Sequence, residues 1–512
     1  MSSSTQVPVA PVREAGGDET ARRMAVVWLL TAGILLAVLA LLGLLLRLTQ
    51  SFGILNNQWF YAILTLHGTG MVAVALMALA MVVWYLVRSE LNLSNRANVL
   101  IYGLTVAAAV LVLISTLVGH FGTGWTFLYP LPEHPGPIPG WSPNWAYVFL
   151  VGVALLVVAF TVWGLEILRA GVARFGNPGR LFGLDILTGK KKGGDPDTTN
   201  PTILGACVMA VNGVFTAIPG AIIVVLMIIA NADHSFHINA LIAKELIFFT
   251  GHMLVNFEIY LGAAIAYAVL PYYTHRPWQL NRLVVFVWWV TAVGIMLPYF
   301  HHLYLDFAQP AGLAIVGQVA SYASGIPVAV VTVFGGVLLI FRSGMRWRPA
   351  PLFIYAGFAG WIIGGTGALI DSTPGVNEYF HNTLWVPGHF HTYMALGAVM
   401  FLLGGVYHVT PVITGRELSD RVGGIAAKFI LVGGWIVVLA FFASGAQSIP
   451  RRYAYVTIPL FQHMAMIGAL GGIIAAVGVV LILGDVLRVY LPGLSSQQPP
   501  TALAAADAGA ET

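Results

Sequence analysis

The stretch Trp385 to Gly397, WVPGHFHTYMALG, sets His389 and His391 two residues apart inside an apolar run. On a helix, two steps turn a side chain by about 200°, so the two rings leave opposite faces. They cannot bind one metal ion, but each can hold its own large planar cofactor.

Of the 512 residues, 58% are hydrophobic and only 9% are charged, and the mean hydropathy is +0.84. A soluble domain carries roughly 25% charged residues, so this composition specifies an integral membrane protein of the all-α class. The net charge of +4 is informative only through its distribution, and no nucleic-acid partner is expected. The single cysteine, Cys207, lies in an apolar run; it excludes an internal disulfide or a multi-cysteine metal site. Any thiolate copper or iron–sulfur centre must sit on another chain. Residues 1–23 read as a cytoplasmic tail without a cleavable signal peptide, 24–491 as a membrane catalytic domain, and 492–512 as a disordered C-terminal tail. Residues 171–200, with GKKKGGDPDTTNP, read as a cytoplasmic linker.

Twelve apolar runs are long enough to cross a bilayer as helices, at about 24–48, 59–87, 98–120, 145–168, 202–230, 241–270, 282–305, 318–341, 352–371, 384–411, 425–447 and 459–491. Alternate connections collect the cations: Arg88 and Arg96, then Arg169, Arg174, Arg180 and Lys190 to Lys192, then Arg276, then Arg342, Arg346 and Arg348, then Arg416 and Arg421. The positive-inside rule places those loops and both termini in the cytoplasm. Arg451 and Arg452, in SIPRRYAYV, are the exception on the opposite side, and two adjacent arginines there call for an anionic partner.

This topology assigns depths. His67 in LTLHGTGM, His389, His391, His252 in TGHMLVNFEIY, and His301 and His302 in PYFHHLYLDF all fall in the outer half of the membrane, near one level. One intramembrane histidine can be a helix-to-helix hydrogen bond. Six from four spans on one level are not explained by packing. His120, His134, His234, His237, His275, His408 and His463 lie at span ends, in loops or off that level, and default to surface or local hydrogen-bonding roles.

Geometry divides the six. His67 and one span-ten ring can hold a haem iron from both sides, leaving it closed and suited to electron transfer. The other span-ten ring holds a second haem from one side, leaving that iron open. His252, His301 and His302 then supply three nitrogens for a copper or similar ion. His301 and His302 differ by about 100° on a regular helix, so both reach one ion only through a local distortion, which Pro298 can supply. Haem propionates need cations near the outer surface, where Arg451 and Arg452 stand.

HNTLWVPGHFHTY resembles the subunit I signature of the haem–copper oxidoreductases, with a form most similar to their B-type branch. The resemblance extends to LHG at His67, GTGWTFLYP at Gly122 to Pro130, GH at His252, FHH at His302 and PRR at Arg452. It implies a twelve-helix subunit I fold with His67 and His391 on a low-spin haem, His389 on a high-spin haem, and His252, His301 and His302 on copper, with non-haem iron less favoured. It also implies propionate contacts from Arg451 and Arg452 with His381 nearby. The implied partner is a second subunit carrying a dinuclear copper centre or haem c, with cytochrome c or quinol as donor, in a bacterial or archaeal-type cytoplasmic membrane with the cofactors toward its outer side.

One position departs from the family pattern. Four residues after His252, where oxygen-reducing members carry a tyrosine joined to that histidine, this chain has Asn256. Spacing of four puts Asn256 on the metal side of the helix. An amide neither titrates nor oxidises as a phenol does, so it is no source of the fourth electron that splitting O2 demands. Coupling two NO to N2O and water takes two electrons and two protons. The expected activity is therefore nitric oxide reduction; the alternative is a cytochrome c oxidase drawing on Tyr304 or Tyr260. Glu245 and Glu258 are the candidate proton carriers, and Leu254 stands where A-type members carry a proton-delivering glutamate. Twelve spans also suit a secondary transporter, but no internal repeat is visible and the histidines lie off the midplane.

Overall fold

The computed structural model describes residues 18–133, 140–305 and 310–495. Among the described residues all regular secondary structure is helical, apart from one isolated bridge between Thr383 and Pro450. Twelve helices are long and apolar enough to span a membrane: Glu19–Phe52, Asn57–Val87, Asn95–Leu117, Pro143–Phe175, Pro201–Ala232, Ala240–Thr274, Arg282–Leu303, Ala311–Ile340, Pro349–Asp371, Trp385–Thr414, Asp420–Ala446 and Pro459–Leu494. They are numbered here as spans one to twelve. Span one begins at Glu19, ahead of the expected Met24, because Asp18 caps it by accepting from the Ala21 backbone N–H. Of the expected tails, 1–23 and 492–512, residues 19–23 and 492–495 are helical and continue spans one and twelve, while 1–17 and 496–512, with His134, lie outside the described residues.

Polar caps explain most of the starts. Asn56, Ser94, Asn200, Asn239, Asn281 and Ser419 each accept a hydrogen bond from a first-turn N–H. Pro143 and Pro201 follow their caps at the first helical position, where a missing N–H costs nothing.

Burial separates the spans. In spans two, six and ten, 67, 83 and 78% of the most apolar window is buried inside the protein, against half or less elsewhere. These three form the centre, and all three carry candidate ligands. Small residues let span ten approach span nine: a Cβ at Gly360 would lie 2.1 Å from the Leu396 carbonyl oxygen, and one at Gly364 2.6 Å from the Tyr393 nitrogen.

Two central segments leave regular α geometry. Span seven is α-helical only over Arg282–Gly294 and resumes as a 3-10 turn, Pro298–Leu303. Span ten is α-helical over Trp385–Tyr393, passes through a π-turn at Met394–Ala398, and resumes as Val399–Thr414. Both irregularities adjoin the histidines, as such features often adjoin functional sites.

Candidate metal centre

His67 and His391 face each other with ring centres 6.3 Å apart and planes 16° from parallel. His67 Nδ1–H donates to the Leu39 carbonyl of span one at 2.8 Å, and His391 Nδ1–H donates to the Pro387 carbonyl at 2.8 Å. A carbonyl only accepts, so both Nδ1 atoms carry the proton and both Nε2 atoms keep a bare lone pair. Two metal–imidazole bonds of about 2.0 Å plus about 1.1 Å from each ring centre to its nitrogen give about 6.2 Å. The spacing fits one iron held from both sides.

The first contact depends on Gly43. A Cβ there would lie 2.6 Å from His67 Cε1, so the missing side chain is what lets the ring reach the span-one backbone. Near the same end of span one, Arg47 is buried; it donates to Gln50 Oε1 at 2.7 Å and lies 4.6 Å over the Phe441 ring. Arg47 and Gln50 line the cavity described below. Sequence reading passed over Arg47, although a cation inside an apolar span is a functional signal in itself.

The second set is built differently. One ring nitrogen from each of His252, His301 and His302 lies within 4.8 Å of the others. Ring centres stand 4.2 Å apart for His301 and His302, and 5.2 and 5.5 Å from His252 to those two. The adjacent pair converges because it sits on the 3-10 turn that Pro298 opens, the distortion the spacing required. Ser321 Oγ donates its one hydrogen to the Gly317 carbonyl at 2.7 Å, so at 3.2 Å from His301 Nδ1 it accepts. That fixes His301 Nε2 as the bare nitrogen, and it is buried with no hydrogen-bond partner among the described residues. Three imidazoles without a carboxylate suit copper or zinc. Among the described residues no such hydrogen bond anchors His302; its ring stacks on Phe248 at 5.2 Å.

Asn256 stands beside this group, its side-chain nitrogen donating to His252 Nδ1 at 3.0 Å. The two ends of an amide occupy nearly the same place, and the carbonyl end would accept from Nδ1–H instead. With the carbonyl inward, His252 presents Nε2 to a metal. The spacing of four thus brings the Asn256 side chain to His252.

Arg451 and Arg452 border the same cavity. Asn382 fixes Arg451 twice: its backbone carbonyl accepts from the Arg451 N–H at 2.8 Å, and its side-chain oxygen accepts from Nη2 at 2.7 Å. Arg452, at φ +68°, donates to Thr126 Oγ1 at 3.2 Å. His381 is not in the cavity wall; it lies behind, within electrostatic reach of Asp371, which also faces Arg451. Asp371 was missed in the sequence. Asn377 donates to the Asp371 backbone carbonyl at 2.6 Å and reaches the His301 carbonyl at 3.5 Å, tying this cap to the triad.

One largely apolar cavity of about 770 Å³ joins these groups and is bordered by His67, His391, His389, His252, His301 and His302. His389 Nδ1 is buried with no hydrogen-bond partner among the described residues, and a Cβ at Gly367 would lie 2.9 Å from the His389 Cβ. The structure also separates the two tyrosines. The Tyr304 hydroxyl shares its one hydrogen between the Ala314 and Ser372 carbonyls at 3.1 and 3.3 Å, outside the cavity wall, whereas Tyr260 is in that wall and hydrogen-bonds Tyr393.

The chain is similar to known proteins over most of its length. A family model described as Cytochrome C and Quinol oxidase polypeptide I matches residues 23–474. The chain is 25% identical to a cytochrome c oxidase subunit 1 of Thermus thermophilus over 469 residues, covering 85% of this chain and 77% of that one. It is 24% identical to an alternative cytochrome c oxidase subunit 1 of Bradyrhizobium diazoefficiens, covering 85 and 75%. A cryo-EM structure of a heme-copper terminal oxidase dimer shares the fold at a TM-score of 0.77 with 17% identity, over 94% of this chain and 86% of that one.

Proposed function

The chain belongs to the cytochrome c and quinol oxidase polypeptide I family, membrane oxidoreductases of the haem–copper type, and on that premise we propose that it reduces nitric oxide. The observation that carries this reading is Asn256, an amide 3.0 Å from a triad histidine and in the cavity wall.

In this reading His67 and His391 hold a low-spin haem, His389 holds a high-spin haem, and His252, His301 and His302 hold copper. The cofactors supply one-electron carriers and an open site for a diatomic substrate. Arg451 and Arg452 take the haem propionates, with His381 and Asp371 behind them. The apolar wall excludes bulk water, and the two carbonyl-anchored rings close one iron to ligands. Reducing two NO to N2O and water consumes two electrons and two protons, so no side chain need surrender a hydrogen atom. Asn256 offers a hydrogen bond beside the triad and no redox equivalent. A partner subunit bearing haem c or dinuclear copper feeds electrons from cytochrome c or a quinol, on the outer side of a membrane whose inner face holds both termini.

Oxygen reduction is the second reading, favoured by the Tyr260 phenol in the cavity wall. The two part when the purified complex is given reduced donor and NO and O2 consumption are measured separately. N2O formation at turnover rates is expected. Rapid conversion of O2 to water with negligible N2O would overturn the proposal.

A further inference from the structure

Two glutamates lie in span six, and the structure treats them differently. Glu245 is hydrogen-bonded by the Tyr299 phenol. Glu258 is 0% exposed, both of its carboxylate oxygens are without a hydrogen-bond partner among the described residues, and it borders the central cavity. An ionised carboxylate buried without a partner is strongly disfavoured, because it loses its hydration and gains nothing in return. Such a group persists where its protonation changes are used.

Its level in the bundle follows from the chain. Spans two, six and ten run the same way. Six residues beyond His252 is about 9 Å deeper, which is the level of Val72 to Ala75 on span two and of the π-turn Met394–Ala398 on span ten. Packing agrees: a Cβ at Gly397 would lie 3.0 Å from Ile259 Cδ1. Val72, Ala75, Met394 and Leu396 all border the cavity, so Glu258 is the one carboxylate in a wall that at this level is otherwise apolar or phenolic among the described residues. The tyrosines Tyr260 and Tyr393 are the other titratable groups near this level on these spans, and they bond each other.

We propose that Glu258 is a proton carrier for the reduction in the cavity. Protonated, it gives its proton to water in the cavity toward the triad; the carboxylate left behind takes a proton from bulk water on the side away from the histidines. Each cycle returns Glu258 unchanged and moves one proton to the site that consumes protons. The proposal rests on the reductase reading only in needing a proton-consuming reaction, which NO and O2 reduction both are.

The test uses the haem-loaded complex with Glu258→Gln, which keeps shape and removes titration, and Glu258→Asp. In reduced-minus-oxidised infrared difference spectra the wild type should show a protonated-carboxyl C=O band that shifts in D2O and vanishes in Glu258→Gln. Turnover should fall about 100-fold in Glu258→Gln and recover substantially in Glu258→Asp, with CO binding to the reduced enzyme unchanged. Should Glu258→Gln fail to load haem, Glu258→Asp decides: a displaced carboxyl band supports the role and an undisplaced one overturns it. Wild-type turnover in Glu258→Gln, or a band indifferent to both substitutions, also overturns it. An enzyme that reduces O2 but not NO would show the same band and the same slowing, so failure of the substrate reading is seen separately.

Discussion

The histidine pair and the histidine triad lie in one cavity but are held by different means. His67 and His391 are oriented by backbone carbonyls of regular helices, Leu39 and Pro387. In the triad, His252 and His301 are oriented by side chains, Asn256 and Ser321, and two of the three ligands ride on a 3-10 turn. A backbone carbonyl is present whatever residue supplies it, so the pair's hydrogen bonds survive changes of side chain. The triad's hydrogen bonds can be altered one residue at a time. On the proposed roles, an electron-transfer site needs constancy and a substrate site must be adjustable, and the two kinds of support match those roles.

The largest effect should come from breaking the support of the pair in the one way open to mutation, through the space it needs. Gly43→Ala puts a methyl 2.6 Å from His67 Cε1. It removes no hydrogen-bonding group, and alanine favours the helix by about 1 kcal/mol over glycine. The expected result is nonetheless a roughly 100-fold weaker hold on the low-spin haem, read from the haem-to-protein ratio and the low-spin absorption bands, with metal content at the triad kept. A protein with both haem signals intact would show that the Leu39 contact does not position the ring.

How much of this was legible in the sequence follows from the same contrast. The twelve spans could be read because each apolar run is long enough to cross a bilayer, whereas their starts are set by caps such as Asn56, Asn200 and Asn281. The six histidines could be read because depth within a span is a count of residues. Asn256 was legible through its spacing of four. The 3-10 turn was foreseen from Pro298 and the adjacency of His301 and His302, but the π-turn after Tyr393 left no proline or glycine pair as a marker. Gly43, Ser321 and Asp371 were illegible for another reason. Each acts across a helix interface, on a residue 20 or more positions away, or through space on a charge, and no local pattern encodes that partner. Glu245 and Glu258 were both candidates in the sequence; their neighbours, the Tyr299 phenol for one and no hydrogen-bond partner among the described residues for the other, rank them.

The next effect belongs to the triad. Asn256→Leu keeps approximate volume and removes the hydrogen bond to His252, so it should lower turnover about 30-fold. The low-spin bands should be unchanged, because nothing in the pair touches Asn256. Asn256→Tyr sharpens the test: it places a phenol where oxygen-reducing relatives carry one, and it should change the high-spin haem spectrum. Unaltered activities and spectra in both variants would remove Asn256 from the site.

The smallest effect should come from Ser321→Ala. The hydroxyl accepts from His301 Nδ1–H at 3.2 Å, a longer contact than either carbonyl bond of the pair at 2.8 Å. Its loss frees the His301 ring to change tautomer but leaves the 3-10 turn and the other two rings in place. Copper should bind about 10-fold more weakly, at the low end of what such outer contacts contribute, measured by metal content after equilibration with a competing chelator. Ser321→Thr keeps a hydroxyl able to donate to the Gly317 carbonyl and should restore binding. No corresponding variant exists for His67, since the carbonyl of Leu39 cannot be deleted by changing Leu39. If Ser321→Ala and Leu39→Ala weakened their sites equally, the distinction between side-chain and backbone support would fail.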